Sequence, residues 1–263
     1  PGGVEREADA PRSLVAVVTG GNSGIGKGIA LGLASAGCSL VIAARNLAVS
    51  REAAREIEQR YGVRTLCIEL DVRNLESINR MPEPVMQEFG RLDILVNNAG
   101  VTHRASLLEM SGEAWDHVLD TNLKGVFFCT QAAARVMIPQ QYGRIVNISS
   151  IAGKGWTDVG GINYGASKAA ITQLTKGCAR ALGSHGITVN TIAPGSIDTP
   201  ILSAGRSPEQ VQAYKDNAIS HAAAGRLGLT EDIANGVLFL VSDHASFIDG
   251  QTIAIDGGRF DLM

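Results

Sequence analysis

The chain has no strong excess of charge of either sign: 23 Lys and Arg stand against 26 Asp and Glu, a net charge of -3 with a pI near 6.0. That removes the electrostatic footprint that nucleic acid or an anionic membrane surface demands, and neither is expected as a partner. No apolar run approaches the roughly eighteen residues a membrane-spanning helix needs, and no basic stretch leads into an apolar one as in a signal peptide. Cysteine is scarce. Cys38, Cys67, Cys129 and Cys178 lie scattered in apolar runs without CxxC spacing, which reads as buried free thiols in a reducing compartment. The five histidines, His103, His117, His185, His221 and His244, are dispersed, so no metal is expected and none receives a catalytic role. Internal repeats and low-complexity tracts are also missing. Cytoplasmic localisation is the expectation, compatible with a targeting segment trimmed upstream of Pro1.

What is present is apolar material: 45% of 263 residues are hydrophobic and 19% charged, enough for one sizeable core and, by default, one domain. Residues 1–12 are polar and rich in Gly, Pro and Glu, a flexible leader that is left out of the fold, which occupies 13–263. From 13 onward, short apolar runs alternate with stretches of helical spacing. The run 13–18 ends in Thr19-Gly20-Gly21-Asn22-Ser23-Gly24-Ile25-Gly26, after which Ile29, Ala30, Leu33 and Ala34 recur as on a helix. Strand, glycine-rich turn and helix start in that order let the backbone approach a pyrophosphate and aim helix N-terminal amides at it. The spacing is TGxxxGxG, not GxGxxG.

The next strand, 39–44, ends at Arg45, where such folds read the adenosine ribose. A carboxylate there would repel a 2′-phosphate; an Arg favours NADP(H) over NAD(H), and the plainer alternative is a solvated Arg at a strand end. Strand 64–72 brings Asp71 to its C-terminal end, and strand 92–96 leads into Asn97-Asn98-Ala99-Gly100. Pro82 and Pro84 should interrupt the helix over 74–89. A longer helical pattern over 113–137 carries Asn122 in its middle, without a propensity reason. Strand 143–148 ends at Ser149-Ser150, and strand 187–192 at Ala193-Pro194-Gly195. Residues 196–228 break the rhythm, with Pro200 and Pro208 and no strand, as suits a substrate lid. A helix over 231–241 and a strand over 252–255 close the chain. The alternation argues an α/β fold, a doubly wound parallel sheet with helices on both faces.

Between the serines and the last strands stands Tyr164-Gly165-Ala166-Ser167-Lys168. On a helix, Tyr164 and Lys168 share one face. A phenol titrates near 10 and needs help to exchange protons at neutral pH; an ammonium at about 4 Å, at an effective dielectric near 20, favours the phenolate by roughly 4 kcal/mol, about three pKa units. A surface Tyr beside a snorkelling Lys is the bland alternative for an isolated YxxxK.

Taken in order, TGGNSGIG, Asp71, NNAG, Asn122 in DTNLKG, Ser150 in NISS, YGASK, PGSIDT and the closing GRLG and GQTIAIDGG resemble the short-chain dehydrogenase/reductase family in its non-extended form, over residues 13–258. The resemblance implies a Rossmann-type domain and an oxidoreductase moving a hydride between nicotinamide and a carbonyl or secondary alcohol carbon of a small molecule. It implies that Tyr164 is the general acid or base, Lys168 depresses its pKa and bonds the nicotinamide ribose, Ser150 positions the substrate oxygen, and Asn122 holds a water linking Lys168 to solvent. Cofactor contacts are implied for Gly20, Asn22, Ser23, Gly24, Ile25 and Gly26 in the turn, Arg45, Asp71 and Val72 at the adenosine, Asn98, Ala99 and Gly100 beneath it, and Pro194, Gly195, Ile197 and Thr199 at the carboxamide. The step from Ser150 to Tyr164 is one residue longer than the usual spacing, which leaves Ser149 as an alternative. An enoyl-thioester reductase is disfavoured by the four-residue Tyr-to-Lys step. A homotetramer is implied, built on the helix of Tyr164 and the C-terminal strand region.

For the substrate, His103, Arg104, Lys154, Trp156 and the 200–222 segment are candidates, Arg104 for a carboxylate. Two other readings stay open: an NAD-preferring sugar or polyol dehydrogenase, and a redox-sensing regulator that binds dinucleotide without chemistry. The joint presence of Asn122, Ser150, Tyr164 and Lys168 weighs against the regulator.

Overall fold

Strands β1 (Val15–Thr19), β2 (Ser39–Ala44), β4 (Ile94–Asn97), β5 (Gly143–Ile148) and β6 (Ile187–Pro194) are buried at every position. Strands buried without alternation belong to a parallel sheet covered on both faces. The protein, described by a computed structural model over residues 13–155, 161–199, 202 and 207–259, is built on that sheet. Its order is β3-β2-β1-β4-β5-β6-β7, with β3 (Thr65–Glu69) and β7 (Thr252–Ile255) at the edges and every pair parallel.

Alternation along β1 feeds two cores. Ala16 and Val18 pack with Ile29 and Leu33 of α1 (Gly24–Ser35) and with Ile233 and Val237 of a late helix, Thr230–Val241. Val15 and Val17 face the other way, toward Ile78, Val85, Cys129 and Met137. Glycine permits the tightest of these approaches: a Cβ on Gly28 would sit 2.3 Å from the Thr230 side chain. From β1 the chain winds outward through α2 (Leu47–Tyr61) to β3, then returns to place β4 on the opposite flank of β1. The chain therefore leaves the C-terminal ends of β1 and β4 toward opposite flanks of the sheet, and the crevice between those connections is the usual ligand site of such sheets.

Between β3 and β4 the prolines act as expected. Helix α3 (Leu75–Arg80) stops, and α4 (Pro82–Phe89) starts afresh with Pro82 at its first position, where the missing N–H costs nothing. The 113–137 pattern resolves into α5 (Gly112–Leu119), a π-helical turn Asp120–Lys124, and α6 (Gly125–Gln140). Asn122 sits in the π turn, a wide turn that often marks functional sites. The Tyr164 helix is α7 (Gly161–Leu182). Within 196–228 the structure places α8 (Pro208–Ser220), opened by a capping box between Ser207 and Gln210; the Thr230–Val241 helix follows as α9. The leader 1–12, Trp156 and Pro200 lie outside the described residues.

One polar chain runs through the apolar interior. Asn97 donates to Thr130 (3.0 Å) and to Asn147 (2.9 Å), Asn147 to Thr175 (2.9 Å), and Thr175 meets Thr191 at 2.6 Å. All five are buried, and each is satisfied by the next. The four cysteines are unpaired thiols. Among the described residues no helix is long and apolar enough to cross a membrane, and no group of three His, Cys, Asp or Glu could hold a metal.

Candidate active site

The glycine-rich turn follows β1 directly. Gly20 (φ +64°) and Gly24 (φ +51°) adopt backbone that other residues rarely enter, and a Cβ on Gly26 would lie 2.2 Å from the Gly20 carbonyl oxygen and 2.4 Å from Asn98 Nδ2. The turn is thus folded flat against the N-terminus of α1. The Ser23 N-cap makes no side-chain cap bond, so the first-turn amides of α1 keep their donors for a ligand. Asn22 ties the turn to α2 through Asn46 O (3.4 Å) and Ser50 Oγ (3.2 Å).

Thr19 closes the other side. Its Oγ1 accepts from the Asn98 and Ala99 amides, both at 3.0 Å, while Asn98 Nδ2 donates to Thr19 O at 3.0 Å. These bonds lace the ends of β1 and β4 together. At the far end of the crevice Arg45 is exposed, and among the described residues it makes no hydrogen bond or ion pair. Asp71 is engaged by Arg73 at 2.7 Å; that hydrogen bond, reinforced by charge from Arg73 and then Arg45, holds the carboxyl below its usual range. Asp71 therefore pairs directly with Arg73 and feels Arg45 only through space, which leaves the Arg45 guanidinium without a direct partner among the described residues.

At the opposite end, Ser150 and Tyr164 line the cavity together, with the Ser150 hydroxyl acting to lower the pKa of the phenol. Lys168 is 4% exposed, donates to Ile148 O at 2.8 Å, and holds its ammonium 5.5 Å from the centre of the Tyr164 ring. Ser149 also lines the cavity, but its hydroxyl donates to Lys168 O at 2.7 Å and is buried. Of the two serines that spacing left open, Ser149 has its hydroxyl engaged by the α7 backbone and Ser150 has its hydroxyl accepting from Ala152 N at 3.2 Å. The expected depression of Tyr164 does not occur. Burial raises the phenol above 10 despite the Ser150 hydroxyl, and burial lowers Lys168 from 10.5 to about 8. Both groups shift toward neutrality, because burial disfavours the charged form of each.

Asn122 is fully buried, and its amide clamps the loop after β4: Oδ1 accepts from Val101 N (2.8 Å), and Nδ2 donates to Val101 O (2.9 Å) and Ser167 Oγ (3.1 Å). Ser167 in turn donates to Tyr164 O at 2.7 Å. One side chain thereby joins the NNAG loop to the turn of α7 that carries Tyr164. Asn163 adds a second clamp, accepting from Tyr164 N (2.8 Å) and donating to Ala114 O (3.2 Å) on α5. Thr19, Arg73, Asn163 and Ser167 were not singled out by the sequence. Thr19 opened the TGxxxGxG motif and Ser167 stood within YGASK, but neither had a role of its own there, and Asn163 and Arg73 carried no signal beyond adjacency to Tyr164 and Asp71.

A single cavity of about 1000 Å³ spans these groups. Every candidate catalytic or cofactor residue read from the sequence lines it except Asn122, which acts from behind the wall. Gly195 lies against Asp256, where a Cβ would fall 2.7 Å from its Cα, and Thr199 approaches Gly24. Of the substrate candidates, Arg104 lines the cavity, whereas His103 and Lys154 do not. The cavity's length, flat glycine floor, uncapped helix amides and terminal cation fit a dinucleotide.

Comparison with known proteins agrees with this geometry. A family model described as enoyl-(acyl carrier protein) reductase matches residues 20–259. The 3-oxoacyl-[acyl-carrier-protein] reductase FabG of Staphylococcus aureus (strain Mu50 / ATCC 700699) is 42% identical over 248 residues, covering 93% of this chain and 97% of the relative. The FabG of Aquifex aeolicus (strain VF5) is 42% identical over 247 residues, 94% of this chain and 97% of its own. A crystal structure of a short-chain type dehydrogenase/reductase from Mycobacterium marinum matches with a TM-score of 0.88 at 34% identity, over 95% of this chain and 96% of that one. With that sheet order, that cavity and these relatives, the chain belongs to the short-chain dehydrogenase/reductase family, as an NAD(P)-dependent oxidoreductase.

Proposed function

We propose that the protein is an NADPH-dependent reductase of a carbonyl group, with a 3-oxoacyl thioester as the substrate class and Tyr164 as the proton donor. The observation that carries this reading is the grouping of Ser150 and Tyr164 beside the buried Lys168 ammonium, at one end of a cavity whose other end holds Arg45. The 3-oxoacyl assignment follows the name of the curated relatives.

The bound nicotinamide supplies the hydride. The protein's own groups manage the oxygen. Ser150 and Tyr164 present two hydroxyls to one carbonyl oxygen, which positions it and polarises it. Because burial keeps Tyr164 protonated at neutral pH, the phenol is poised as an acid, the form that reduction requires. Once the proton has left, the phenolate faces the Lys168 ammonium. At 5.5 Å from the ring centre and an effective dielectric near 20, that charge is worth on the order of 3 kcal/mol. Lys168 thus acts on the product of the proton transfer more than on the resting acid. Asn122, Ser167 and Asn163 hold Tyr164 and the NNAG loop in mutual position. Arg45 supplies the charge that a ribose 2′-phosphate needs.

A homotetramer in the cytoplasm accompanies this reading. Leu108 (95% exposed) and Phe247 (fully exposed) are apolar side chains that further copies would cover.

NADPH oxidation in the presence of acetoacetyl-CoA tests the proposal. Turnover is expected, and Tyr164→Phe should lower kcat by about 10² to 10⁴ while leaving NADPH binding intact. Full activity in that variant would remove Tyr164 from the chemistry.

A further inference from the structure

The reductase reading uses the cavity's floor and its two ends but not the wall that α8 contributes. Tyr214, near the middle of α8, lines the cavity together with Ser196, Ser150 and Tyr164. Its hydroxyl lies 2.9 Å from Ser196 Oγ, and Arg259 Nη1 donates to the same oxygen at 3.1 Å. Arg259 is only 8% exposed. Burying a guanidinium is costly, so its placement behind Ser196 is a specific commitment of the fold.

The backbone around it is equally committed. Residues 222–224 pair with 257–259 through Ala223 N to Gly258 O (3.1 Å) and Ala224 N to Gly257 O (2.9 Å). Next to Tyr214, Lys215 bonds Asp198 at 2.8 Å. Two successive residues of α8 are therefore fastened to the loop after β6, and the C-terminal segment braces that loop from behind. With the guanidinium donating to it, Ser196 can turn its own proton to the Tyr214 oxygen, which orients the phenol across the chamber from the first tyrosine. The two phenols line the same cavity.

We infer that Tyr214, set by Ser196 and Arg259, is a specificity-determining residue that hydrogen-bonds a second oxygen of the substrate, the one carried two carbons from the reacting carbonyl, as is the thioester carbonyl of a 3-oxoacyl group. The inference rests on the reductase reading. When a 1,3-dicarbonyl is held flat, its two oxygens lie along one edge. Ser150 and Tyr164 then take the reacting oxygen, and Tyr214 takes its neighbour. A mono-carbonyl compound has nothing for Tyr214 to hold.

The test is Tyr214→Phe, which removes one oxygen and keeps the ring, with Ser196→Ala as a second variant that cuts the phenol from Arg259. The probes are acetoacetyl-N-acetylcysteamine and 4-nitrobenzaldehyde, with NADPH. For the thioester, both variants should raise KM about tenfold, the size of one neutral hydrogen bond, with kcat within about twofold. For the aldehyde, kcat/KM should be unchanged, as should the NADPH dissociation constant. Equal losses on both probes would make Tyr214 a structural tie only and overturn the inference. So would an unchanged thioester KM. If the wild-type protein oxidises NADPH with neither probe, the reductase reading itself fails, an outcome distinct from both.

Discussion

Replacing Lys168 by Met should make the protein more stable at neutral pH and inactive. In the folded state burial lowers the ammonium from 10.5 to about 8, and at about 1.36 kcal/mol per unit this amounts to roughly 3 kcal/mol against folding. The sign follows from proton counting. Between pH 8 and 10.5 the unfolded chain binds the proton that the folded chain has lost, so stability rises with pH across that window. The penalty is complete below pH 8 and gone above 10.5. Methionine removes it with little change of volume but leaves Ile148 O without the Lys168 bond, at a cost of about 1 kcal/mol. The variant should therefore exceed wild type by about 2 kcal/mol at pH 7 and lose most of that margin by pH 9.5. The assay is urea unfolding of both proteins at pH 7 and pH 9.5, read as the difference between them. Other groups held protonated by burial, such as Cys38 and Cys129, lose stability as pH rises in both proteins and cancel in that difference. A difference that stays constant with pH would mean that Lys168 is not depressed and that the acid-poised Tyr164 has been misread.

Arg45→Asp should raise the NADPH dissociation constant ten- to a hundredfold, the worth of a charge-assisted bond, while changing that for NADH little. Fluorescence titration with both nucleotides decides it, and equal losses would take Arg45 off the phosphate. Asn122→Ala breaks three hydrogen bonds to Val101 and Ser167 and should cost about 3 kcal/mol in urea unfolding, with a fall in kcat. A cost below about 1 kcal/mol would mean that the clamp is dispensable. Gly26→Ala forces a methyl group against the Gly20 carbonyl, so a loss of about 1 to 3 kcal/mol and of NADPH binding is expected from thermal melts with and without nucleotide. Unaltered nucleotide-dependent stabilisation would refute the close packing of the turn.

The sheet was legible because buried parallel strands need no alternation: runs such as Val15–Thr19 and Ser39–Ala44 announce themselves as largely apolar stretches ended by turn residues. Pro82 marked its own helix break. Asn122 was legible as a misfit in a helical pattern, but the π turn that accommodates it was not, since its cause lies in Val101 and Ser167, 21 and 45 residues away. Thr19 shows the same limit. Its partners Asn98 and Ala99 stand 79 and 80 positions later, and although Thr19 opens the glycine-rich motif, nothing local says that its hydroxyl reaches across to them. The direction of the Tyr164 shift was misjudged for a related reason. A one-face pairing with Lys168 is a local property, whereas desolvation depends on how completely distant elements enclose the phenol.

The buried polar chain from Asn97 to Thr191 also limits how the fold can vary. It crosses β4, β5 and β6, whose next residues supply Asn98, Ser150 and Gly195 to the cavity. A slip of any one strand by a single residue would turn its amide or hydroxyl out of line and strand its neighbours without partners in an oily interior. The chemistry at the strand tips thus inherits its alignment from a row of side chains that never meets substrate. Drift among the surrounding valines and isoleucines is cheap by comparison, and exchange at Asn97, Asn147, Thr175 or Thr191 is where the catalytic ends would fall out of step.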